Sequence, residues 1–367
     1  MVDVESQEDE ALKANASQRK HVQMRRVLSR MISKSAEGAK LPTVRELMRQ
    51  YKVSQATADR SLQDLEDAGR IRREVGRGTF VCRRPALMRF VDIVFFEDLS
   101  PEQQAQHGFH SKILLELGHL LGDRGAGLRV HSLGQHLVDA SLLEGLIFDK
   151  KMTHVVLVNA RDMLASEILK REEIAHLSLF TGVGETLVNT MQIDNSRVMS
   201  LALDHLVELG HRQIGYLHWV NDIYYRDATQ RREAFYRLML ERQMPFHAEW
   251  VQYGGYEPES GYEAACRLLD LPERPTAIVA GDEICPGVYK AIREKRLKVG
   301  EDVSVVGIND LTIASLMDPP LTSVRIARKR VAEMIVESFG QMAGKGKAVP
   351  AREVPCELVV RESAKQV

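Results

Sequence analysis

The sequence has few cysteines and tryptophans and no long apolar run. Its 367 residues include two tryptophans and four cysteines, the latter at positions 82, 266, 285 and 356. The cysteines form no CxxC pair, which disfavours a zinc ribbon or disulfide framework and predicts free, mostly buried thiols. No stretch reaches the roughly 18 consecutive apolar residues of a transmembrane helix. Because the acidic start MVDVESQEDE lacks the basic and apolar segments of a secretory signal, we expect a cytoplasmic protein without a membrane partner.

Motifs of several large enzyme classes are also missing. The chain contains no GxxxxGK followed by Ser or Thr, no GxSxG and no HExxH, and GVGETL at 182–187 lacks the third glycine of a dinucleotide-binding loop. These absences disfavour a nucleotide-dependent enzyme, a serine hydrolase and a zinc peptidase. We therefore predict no catalytic residue, no metal site and no cofactor; a DNA-tethered catalyst on an α/β scaffold is the alternative.

The net charge of −1 conceals an uneven distribution of charge. Residues 19–84 carry 17 Lys and Arg against 7 Asp and Glu, a net charge of +10, whereas the rest of the chain carries −11. Because 44% of the residues are hydrophobic, the chain can bury a large core. Its length suggests about two or three domains. The sequence therefore predicts a basic module joined to an acidic globular part.

Residues 17–82, which we call the head, show the pattern of three helices followed by a hairpin. An apolar stripe at helical spacing covers 22–32. Thr43 and Glu46 have the spacing of a capping box at the start of a second helix, and Ser54 can cap a third. Two short extended runs around a glycine turn then predict a β-hairpin with a basic tip. Two helices joined by so short a turn form a helix-turn-helix, so the head is predicted to be a winged helix.

The head resembles the DNA-binding domain of the GntR family of regulators. The resembling segments read LPTVREL and VSQATADRSLQDLEDAGRIRREVGRGTFV. The resemblance implies that double-stranded operator DNA is a partner, read by the third helix in the major groove while the wing and backbone amides hold phosphates or enter the minor groove. The residues that it places at the DNA are Arg45, Ser54, Gln55, Thr57, Arg60, Arg77 and Gly78.

Two positions of the third helix depart from the family pattern. Gln55 and Asp59 stand where the family usually has arginines. Gln favours adenine, and Asp can accept only from cytosine or else repels phosphate. These departures predict an altered operator sequence with DNA binding retained. The alternative for each charged side chain is a solvated surface position.

The part of the chain at 90–363, which we call the body, alternates strand-like apolar runs with helical patterns. Strands are predicted near 90–96, 155–158, 177–180, 214–217, 277–280 and 303–306, and helices near 109–122, 196–209, 229–242, 259–270 and 284–295. Such alternation predicts parallel sheets flanked by helices. With this many strands, two doubly wound lobes fit better than one, so we predict an α/β fold behind an N-terminal winged helix-turn-helix.

The body resembles the effector domain of the LacI/GalR repressors, which is built like the periplasmic sugar-binding proteins. The resembling segments include IDNSRVMSLALDHLVELGHRQIGYL, RREAF, PTAIVAGDE and LKVGEDVSVVGINDLTIASLMDPPLTSVR. The resemblance implies a two-lobed, periplasmic-binding-protein-like domain with three crossing strands and a ligand in the cleft. The predicted segments are a disordered tail at 1–16, the head at 17–82, a linker at 83–89, lobe one at about 90–193 and 326–343, and lobe two at about 194–322 and 351–361.

Effector-binding candidates come from loops at the carboxyl ends of strands, where ligands bind in such folds. Aromatic rings can stack on a sugar or a nucleobase, and polar side chains can bond its edges. Carried over by position, the candidates are Phe109, His110, Asp194, Arg231, Tyr256, Glu283 and Asn309. The structural alternatives are a helix cap for Asp194, core positions for Phe109 and Tyr256, a surface ion pair for Arg231 and a helix start for His110.

The same loops depart from the family pattern. Asn309 followed by Asp310 stands where the family commonly has Asp, and Asp282 and Glu283 replace the usual Asn-Asp. A neutral Asn both donates and accepts, so the pattern of hydroxyl groups that the cleft recognises should differ. The aromatic loop 219–227 either stacks a ring or closes an empty cleft.

These observations predict a sequence-specific DNA-binding transcription regulator located with the bacterial nucleoid. The favoured form is a homodimeric repressor of a carbohydrate-use operon, released from DNA by a small-molecule effector such as a sugar; the combination resembles arabinose-repressor-type regulators. The alternatives are a regulator with a degenerate, ligand-free effector domain, a purine- or nucleoside-responsive regulator, and a co-repressed one. Residues 82–89 are too short for a LacI-type hinge helix and contain Pro85, so coupling is expected through the linker and the wing.

Overall fold

A computed structural model of the protein describes residues 20–367 apart from positions 22, 26 and 33 and the segments 83–87, 97–107, 135–139, 161–162, 181–187, 219–225 and 346–347. The predicted tail, most of the predicted linker and most of the aromatic loop lie outside the described residues. No helix of the described chain is long and apolar enough to cross a bilayer. All four cysteines are free thiols.

Three helices and a hairpin form the head. Helix α1 covers the described residues between 20 and 34, α2 is Val44–Tyr51 and α3 is Gln55–Asp67; strands β1 (Ile71–Glu74) and β2 (Gly78–Val81) pair antiparallel. The predicted capping box is present, since Thr43 N donates to the Glu46 carboxylate at 2.7 Å and Glu46 N donates to Thr43 Oγ1 at 3.3 Å. One apolar core joins the helices to the wing through Met24, Leu28, Leu47, Leu62, Leu65, Ile71 and Val81.

Lobe one is a six-stranded parallel sheet with helices on both faces. In the order β13-β7-β6-β5-β3-β4, its strands are Arg352–Val354, Thr190–Ile193, Ala175–Leu179, His154–Val158, Phe90–Phe95 and Gly127–Ser132. Its helices are α4 (Gly108–Gly122), α5 (Ala140–Lys150), α6 (Leu164–Arg171) and α12 (Arg328–Lys345). Successive side chains of β3 point to opposite faces, so Ile93 packs in the core with α4 and α12 while Val94 packs with α5 and α6.

Lobe two repeats this architecture with an antiparallel edge. In the order β14-β12-β11-β10-β8-β9, its strands are Cys356–Val359, Thr322–Ile326, Ser304–Asn309, Ala277–Gly281, Ile214–His218 and Val251–Tyr253, and only the edge strand β14 runs antiparallel to its neighbour. Its helices are α7 (Asn195–Glu208), α8 (Arg226–Glu241), α9 (Pro258–Leu269), α10 (Cys285–Glu294) and α11 (Thr312–Leu316). The predicted α/β class with two doubly wound lobes is confirmed.

The chain crosses between the lobes three times, after β7, β12 and β13, as predicted. The single strand predicted at 351–361 in lobe two is wrong, because Arg352–Val354 pairs with β7 of lobe one and only Cys356–Val359 joins lobe two. Pro355 lies between the two strands, and its missing N–H cannot continue a ladder. Helix α8 begins at Arg226, so Arg231 lies in its second turn and not at its start.

Helices α9 and α10 approach closely at Gly287, and this contact allows a test of the packing. A Cβ at this position would lie 1.7 Å from Pro258 O and 2.6 Å from Tyr262 N. Backbone atoms cannot yield without moving a helix, so Gly287→Ala is expected to destabilise the protein by about 1–3 kcal/mol. The control is Gly340→Ala in α12, where a Cβ meets nothing within 4 Å and alanine should stabilise a helix by roughly 0.5–1 kcal/mol. Equal urea midpoints for the two variants would contradict the packing.

His154, the first residue of β5, should make stability depend on pH. It is 5% exposed and packs edge-on against Phe339 of α12. Burial lowers its pKa from 6.5 to about 4, against the attraction of Asp92. Between these values the unfolded chain binds a proton that the folded chain does not, so this histidine should remove about 3 kcal/mol of stability as the pH falls through the window. Urea unfolding from pH 7 to pH 4 should show a shallower loss for His154→Gln; equal slopes would exclude His154 as the group.

Candidate functional site

The head exposes most of the side chains that were predicted to meet DNA. Arg45 lies exposed in the first turn of α2, and Gln55 and Arg60 lie exposed on α3. Ser54 caps α3 by accepting a hydrogen bond from Thr57 N at 3.2 Å, which positions Gln55 at the start of the helix. Arg77 extends from the wing with 77% of its side chain exposed, 2.8 Å from Glu74.

Thr57 and Gly78 have structural roles that the sequence did not predict. Thr57 is only 6% exposed, and its hydroxyl lies 2.8 Å from Ser54 Oγ, so it stabilises the start of α3. Gly78 has a φ of +120°, and a Cβ there would lie 2.8 Å from Lys40 Cε. The glycine therefore shapes the wing where it packs on Lys40.

Asp59, one of the two departures from the family pattern, has a partner inside the head. Arg73 of β1 donates to its carboxylate at 3.0 Å, so the negative charge is balanced within the domain. Sequence reasoning missed Arg49, which is also exposed on α2. Arg49 follows Arg45 by four residues, so the two arginines lie on one face of α2. This spacing was the sequence signal that could have identified Arg49 as a second candidate.

An aromatic cluster occupies the carboxyl ends of the lobe-one strands. Phe109 and His110 lie in the first turn of α4, as predicted, next to Phe95 at the end of β3 and Phe180 just after β6. The ring centroids of Phe109 and Phe180 are 5.6 Å apart, and those of His110 and Phe95 are 5.4 Å apart, all with edge contacts. Phe109 is 9% exposed, so it belongs to the core as well as to the edge of the cleft.

Asn309 and Glu283 lie in contact at the carboxyl ends of the lobe-two strands β11 and β10. Asn309 Nδ2 donates to Glu283 Oε1 at 3.0 Å. Burial raises the pKa of Glu283, against hydrogen bonds and the charges of Arg231 and Arg328. Asn309 and Asp310 both have positive φ angles, +105° and +45°. Such conformations cost about 1–3 kcal/mol each and occur frequently at binding sites.

Arg328, the first residue of α12, contacts both the aromatic cluster of lobe one and the Asp310 backbone of lobe two. The sequence analysis did not include it among the effector-binding candidates. It is 9% exposed, its Cζ lies 5.8 Å from the centre of the Phe109 ring, and Nη2 donates to the carbonyl of Asp310 at 2.6 Å. Burial lowers its pKa. Among the described residues, neither Arg328 Nη1 nor Glu283 Oε2 has a hydrogen-bond partner. A buried donor and a buried acceptor near the strand ends are thus left without a partner in the described part of the chain.

Arg231 is held by a polar network at the crossing between β7 and α7. Its Nε donates to Asn195 Oδ1 at 2.8 Å, and Asn195 Nδ2 donates to Asp227 at 2.7 Å and to Gln230 at 3.0 Å. Arg231 is 3% exposed, which contradicts the alternative of a surface ion pair. The carboxylate of Asp194 accepts from Arg197 N at 2.8 Å, so the helix-cap alternative for this residue is present.

A cavity of about 700 Å³ opens beside this network. Its lining includes Phe180, Gln192, Asp194, Asn195, Asp227 and Gln230. Tyr256 is half-buried in the bend between β9 and α9 and is not among the described residues that line the cavity. In the described part of the chain, no group of three or more His, Cys, Asp and Glu side chains could hold a metal ion.

Two segments of the chain match known families. Residues 24–81 match bacterial regulatory proteins of the gntR family, and residues 203–364 match the periplasmic binding protein-like domain. The HTH-type transcriptional repressor PurR of Mannheimia succiniciproducens is 36% identical over 169 residues, 46% of this chain and 50% of that protein. PurR of Haemophilus influenzae strain PittEE is 33% identical over 172 residues, 46% of this chain and 51% of that protein. The chain therefore spans about half the length of the curated relatives that it matches.

Solved structures share the two-lobed architecture. A complex of the transcriptional regulator CelR with cellobiose has a TM-score of 0.66 at 22% identity, covering 88% of this chain and 100% of that one. The Lac repressor dimer bound to operator and the anti-inducer ONPF has a TM-score of 0.63 at 22% identity, covering 76% of this chain and 94% of that one. At this level of identity the likeness establishes the fold.

Proposed function

We propose that this chain, which joins a GntR-type winged-helix domain to a periplasmic-binding-protein-like domain, is a DNA-binding transcription repressor that a small polar ligand controls. One observation supports this function above all. A module with a net charge of +10 and exposed arginines is attached to a body whose strand ends hold a cavity of about 700 Å³ and unsatisfied polar groups. The first feature suits a polyanion, and the second suits a small molecule.

DNA recognition would combine base contacts from α3 with phosphate contacts around it. Gln55 and Arg60 can pair with adenine and guanine edges in the major groove. Arg45 and Arg77 can hold phosphates on either side and so fix the position of the helix. A homodimer would present two such heads to the half-sites of a pseudo-palindromic operator.

Ligand recognition would use the polar atoms of Glu283 and Arg328 that have no hydrogen-bond partner among the described residues. A hydroxyl group can donate to Glu283 Oε2 and accept from Arg328 Nη1. Leaving such buried groups unpaired costs about 1–3 kcal/mol each, which a ligand would recover. A ring with several hydroxyl groups beside Phe109 and Phe180 meets these requirements, so a carbohydrate is the favoured class.

A purine is the second candidate, and the names of the relatives support it. The proteins that match at 33–36% identity over half of their length are called PurR. A nucleobase could stack on the same aromatic cluster and use the same donor and acceptor. Thermal-shift screening with pentoses, hexoses, sugar phosphates and purines separates the two, because only the bound class raises the midpoint.

Salt dependence of DNA binding tests the repressor function. The full chain, titrated by fluorescence anisotropy onto a duplex selected from a random library, should bind it more tightly than a scrambled duplex. With about 6–10 phosphate contacts per dimer, affinity should fall by at least roughly 10³-fold between about 50 and 200 mM salt. Failure to select any duplex, or an affinity that salt does not change, would exclude the function.

A further inference from the structure

The head also contacts lobe one, on the side opposite the cavity. Lys151 lies between α5 and β5, and Glu172 and Glu173 lie between α6 and β6. Both connections precede their strands, so they lie at the amino ends of the sheet, whereas the aromatic cluster lies at the carboxyl ends. Lys151 contacts α3 of the head, and Glu173 contacts Arg70 in the turn that follows α3.

Lys151 binds two carboxylates in the last turns of α3. Its Nζ lies 3.1 Å from Asp64 Oδ1 and 3.0 Å from Asp67 Oδ2. Asp64 is almost fully buried and also lies 3.0 Å from His21 Nε2. Hydrogen bonds from Gln63 and Lys151 lower the pKa of Asp67, and the bond to Asp67 raises the pKa of Lys151. The body therefore adds a cation at the acidic end of α3, next to the head's own His21.

The second contact has the opposite polarity. Arg70, just after α3, pairs with Glu173 of the body and donates to Ser29 of α1 at 3.0 Å. Arg25 of α1, also buried, lies 4.0 Å from Asp64 within the head. Each side of the interface thus offers both a cation and an anion to the other. Exposed ion pairs contribute little, but removing one partner of a buried pair leaves an uncompensated charge.

The backbone holds the two contact residues of the body in an unusual conformation. Lys151 has a φ of +50° and Glu173 a φ of +55°, each just after the end of a helix. Glycine is the usual residue at such a left-handed helix end, because a side chain is unfavourable there. In both places the chain has instead a charged residue that reaches the head.

We infer that these reciprocal charge pairs form a dock that holds the head in one orientation on lobe one. The part of the inference that concerns regulation rests on the proposed function. Helix α3 presents Gln55 and Arg60 in its amino-terminal half and binds Lys151 in its last turns, so it connects DNA to the body as a rigid element. A movement of lobe one on ligand binding is then transmitted to the recognition helix through the dock, in addition to the linker and the wing that the sequence suggested.

Pulsed electron paramagnetic resonance on the full chain, without DNA or ligand, tests the dock. Spin labels are placed on Lys34→Cys in α1 and Lys112→Cys in α4, with Cys266→Ser and Cys356→Ser to remove the half-buried native thiols. Dilution with unlabelled protein restricts the signal to distances within one chain. The dock predicts a single narrow distance distribution.

Two body substitutions should abolish that narrow distribution. Lys151→Glu places a negative charge against Asp64 and Asp67, and Glu173→Arg places a positive charge against Arg70; neither alters a residue of the head. Charge reversals of the same kind at Glu167 and Lys170, which are exposed on α6, serve as controls and should preserve it. Adding Asp67→Lys to Lys151→Glu should narrow the distribution again.

The dock is excluded by a broad distribution in the parent chain, or by a narrow one that both Lys151→Glu and Glu173→Arg leave unchanged. Fluorescence anisotropy on the selected duplex tests the proposed repressor function independently of the distance measurement. If no chain binds DNA, the repressor function fails while the distances still report on the dock. If the parent binds DNA and the distances do not respond, the dock alone fails.

Discussion

Replacing Arg60 by alanine is expected to weaken binding to the selected duplex by roughly 5- to 150-fold, the effect of losing about 1–3 kcal/mol from one base contact. Arg60 is exposed on α3, and its guanidinium lies away from the apolar core of the head. The thermal midpoint should therefore stay unchanged while the anisotropy titration shifts. Base preference at one operator position should also relax, since the contact that reads this position is lost.

Two companion variants show whether the loss is specific. Arg124→Ala removes an exposed arginine from lobe one and should leave DNA affinity unchanged. Arg77→Ala on the wing should weaken binding to all sequences alike and reduce the salt slope by about 1, as expected for a phosphate contact. An Arg60→Ala protein that binds and discriminates like the parent would show that α3 does not read the operator.

Replacing Glu283 by glutamine is expected to abolish most of the stabilisation that the ligand provides. Glutamine can still accept from Asn309 Nδ2 with its Oε1, so the internal hydrogen bond survives. The second position, where Glu283 Oε2 has no partner among the described residues, becomes a donor. A ligand hydroxyl or N–H that donates there would lose its acceptor, and affinity should fall roughly 10- to 100-fold, as for a bond to a charged group worth about 1.5–3 kcal/mol.

Thermal shift measures this loss directly. A ligand present at about 100 times its Kd stabilises the parent chain by about 2.7 kcal/mol, and the Glu283→Gln chain should show little of that shift. Burial raises the pKa of Glu283, so the neutral substitute adds no charge to the interior and should fold normally. Glu259→Gln, at an exposed position in the first turn of α9, is the control. An undiminished shift in Glu283→Gln would remove this residue from the ligand site.

Short-range signals in the sequence were sufficient to predict the elements of the head, whereas the order of the lobes came from the family resemblance. The capping box of Thr43 and Glu46 depends on residues three apart, and the structure contains both of its hydrogen bonds. Phe109 and His110 were placed correctly because the start of α4 follows directly from the apolar periodicity. Such features are local, so no knowledge of the tertiary structure was needed.

Contacts between distant segments could not be predicted in the same way. Arg328 approaches Phe109 only because the chain returns to lobe one after β12, more than two hundred residues later in the sequence. A carboxylate such as Asp59 on a DNA-reading helix should repel phosphate. Its pairing with Arg73 of the wing, which balances this charge, involves a residue 14 positions away and could not be read from the helix itself. The family resemblance placed Thr57 at the DNA, whereas the geometry of the helix start turns its hydroxyl toward Ser54.

One titration tests the central claim that ligand binding in the body controls DNA binding by the head. The full chain is titrated onto its selected duplex by anisotropy, with and without the compound that raises its thermal midpoint. The account predicts that this compound weakens DNA binding by roughly 5- to 150-fold, corresponding to a coupling of about 1–3 kcal/mol. Unchanged DNA affinity under saturating compound would contradict the claim of control, and tighter binding would contradict release in favour of co-repression.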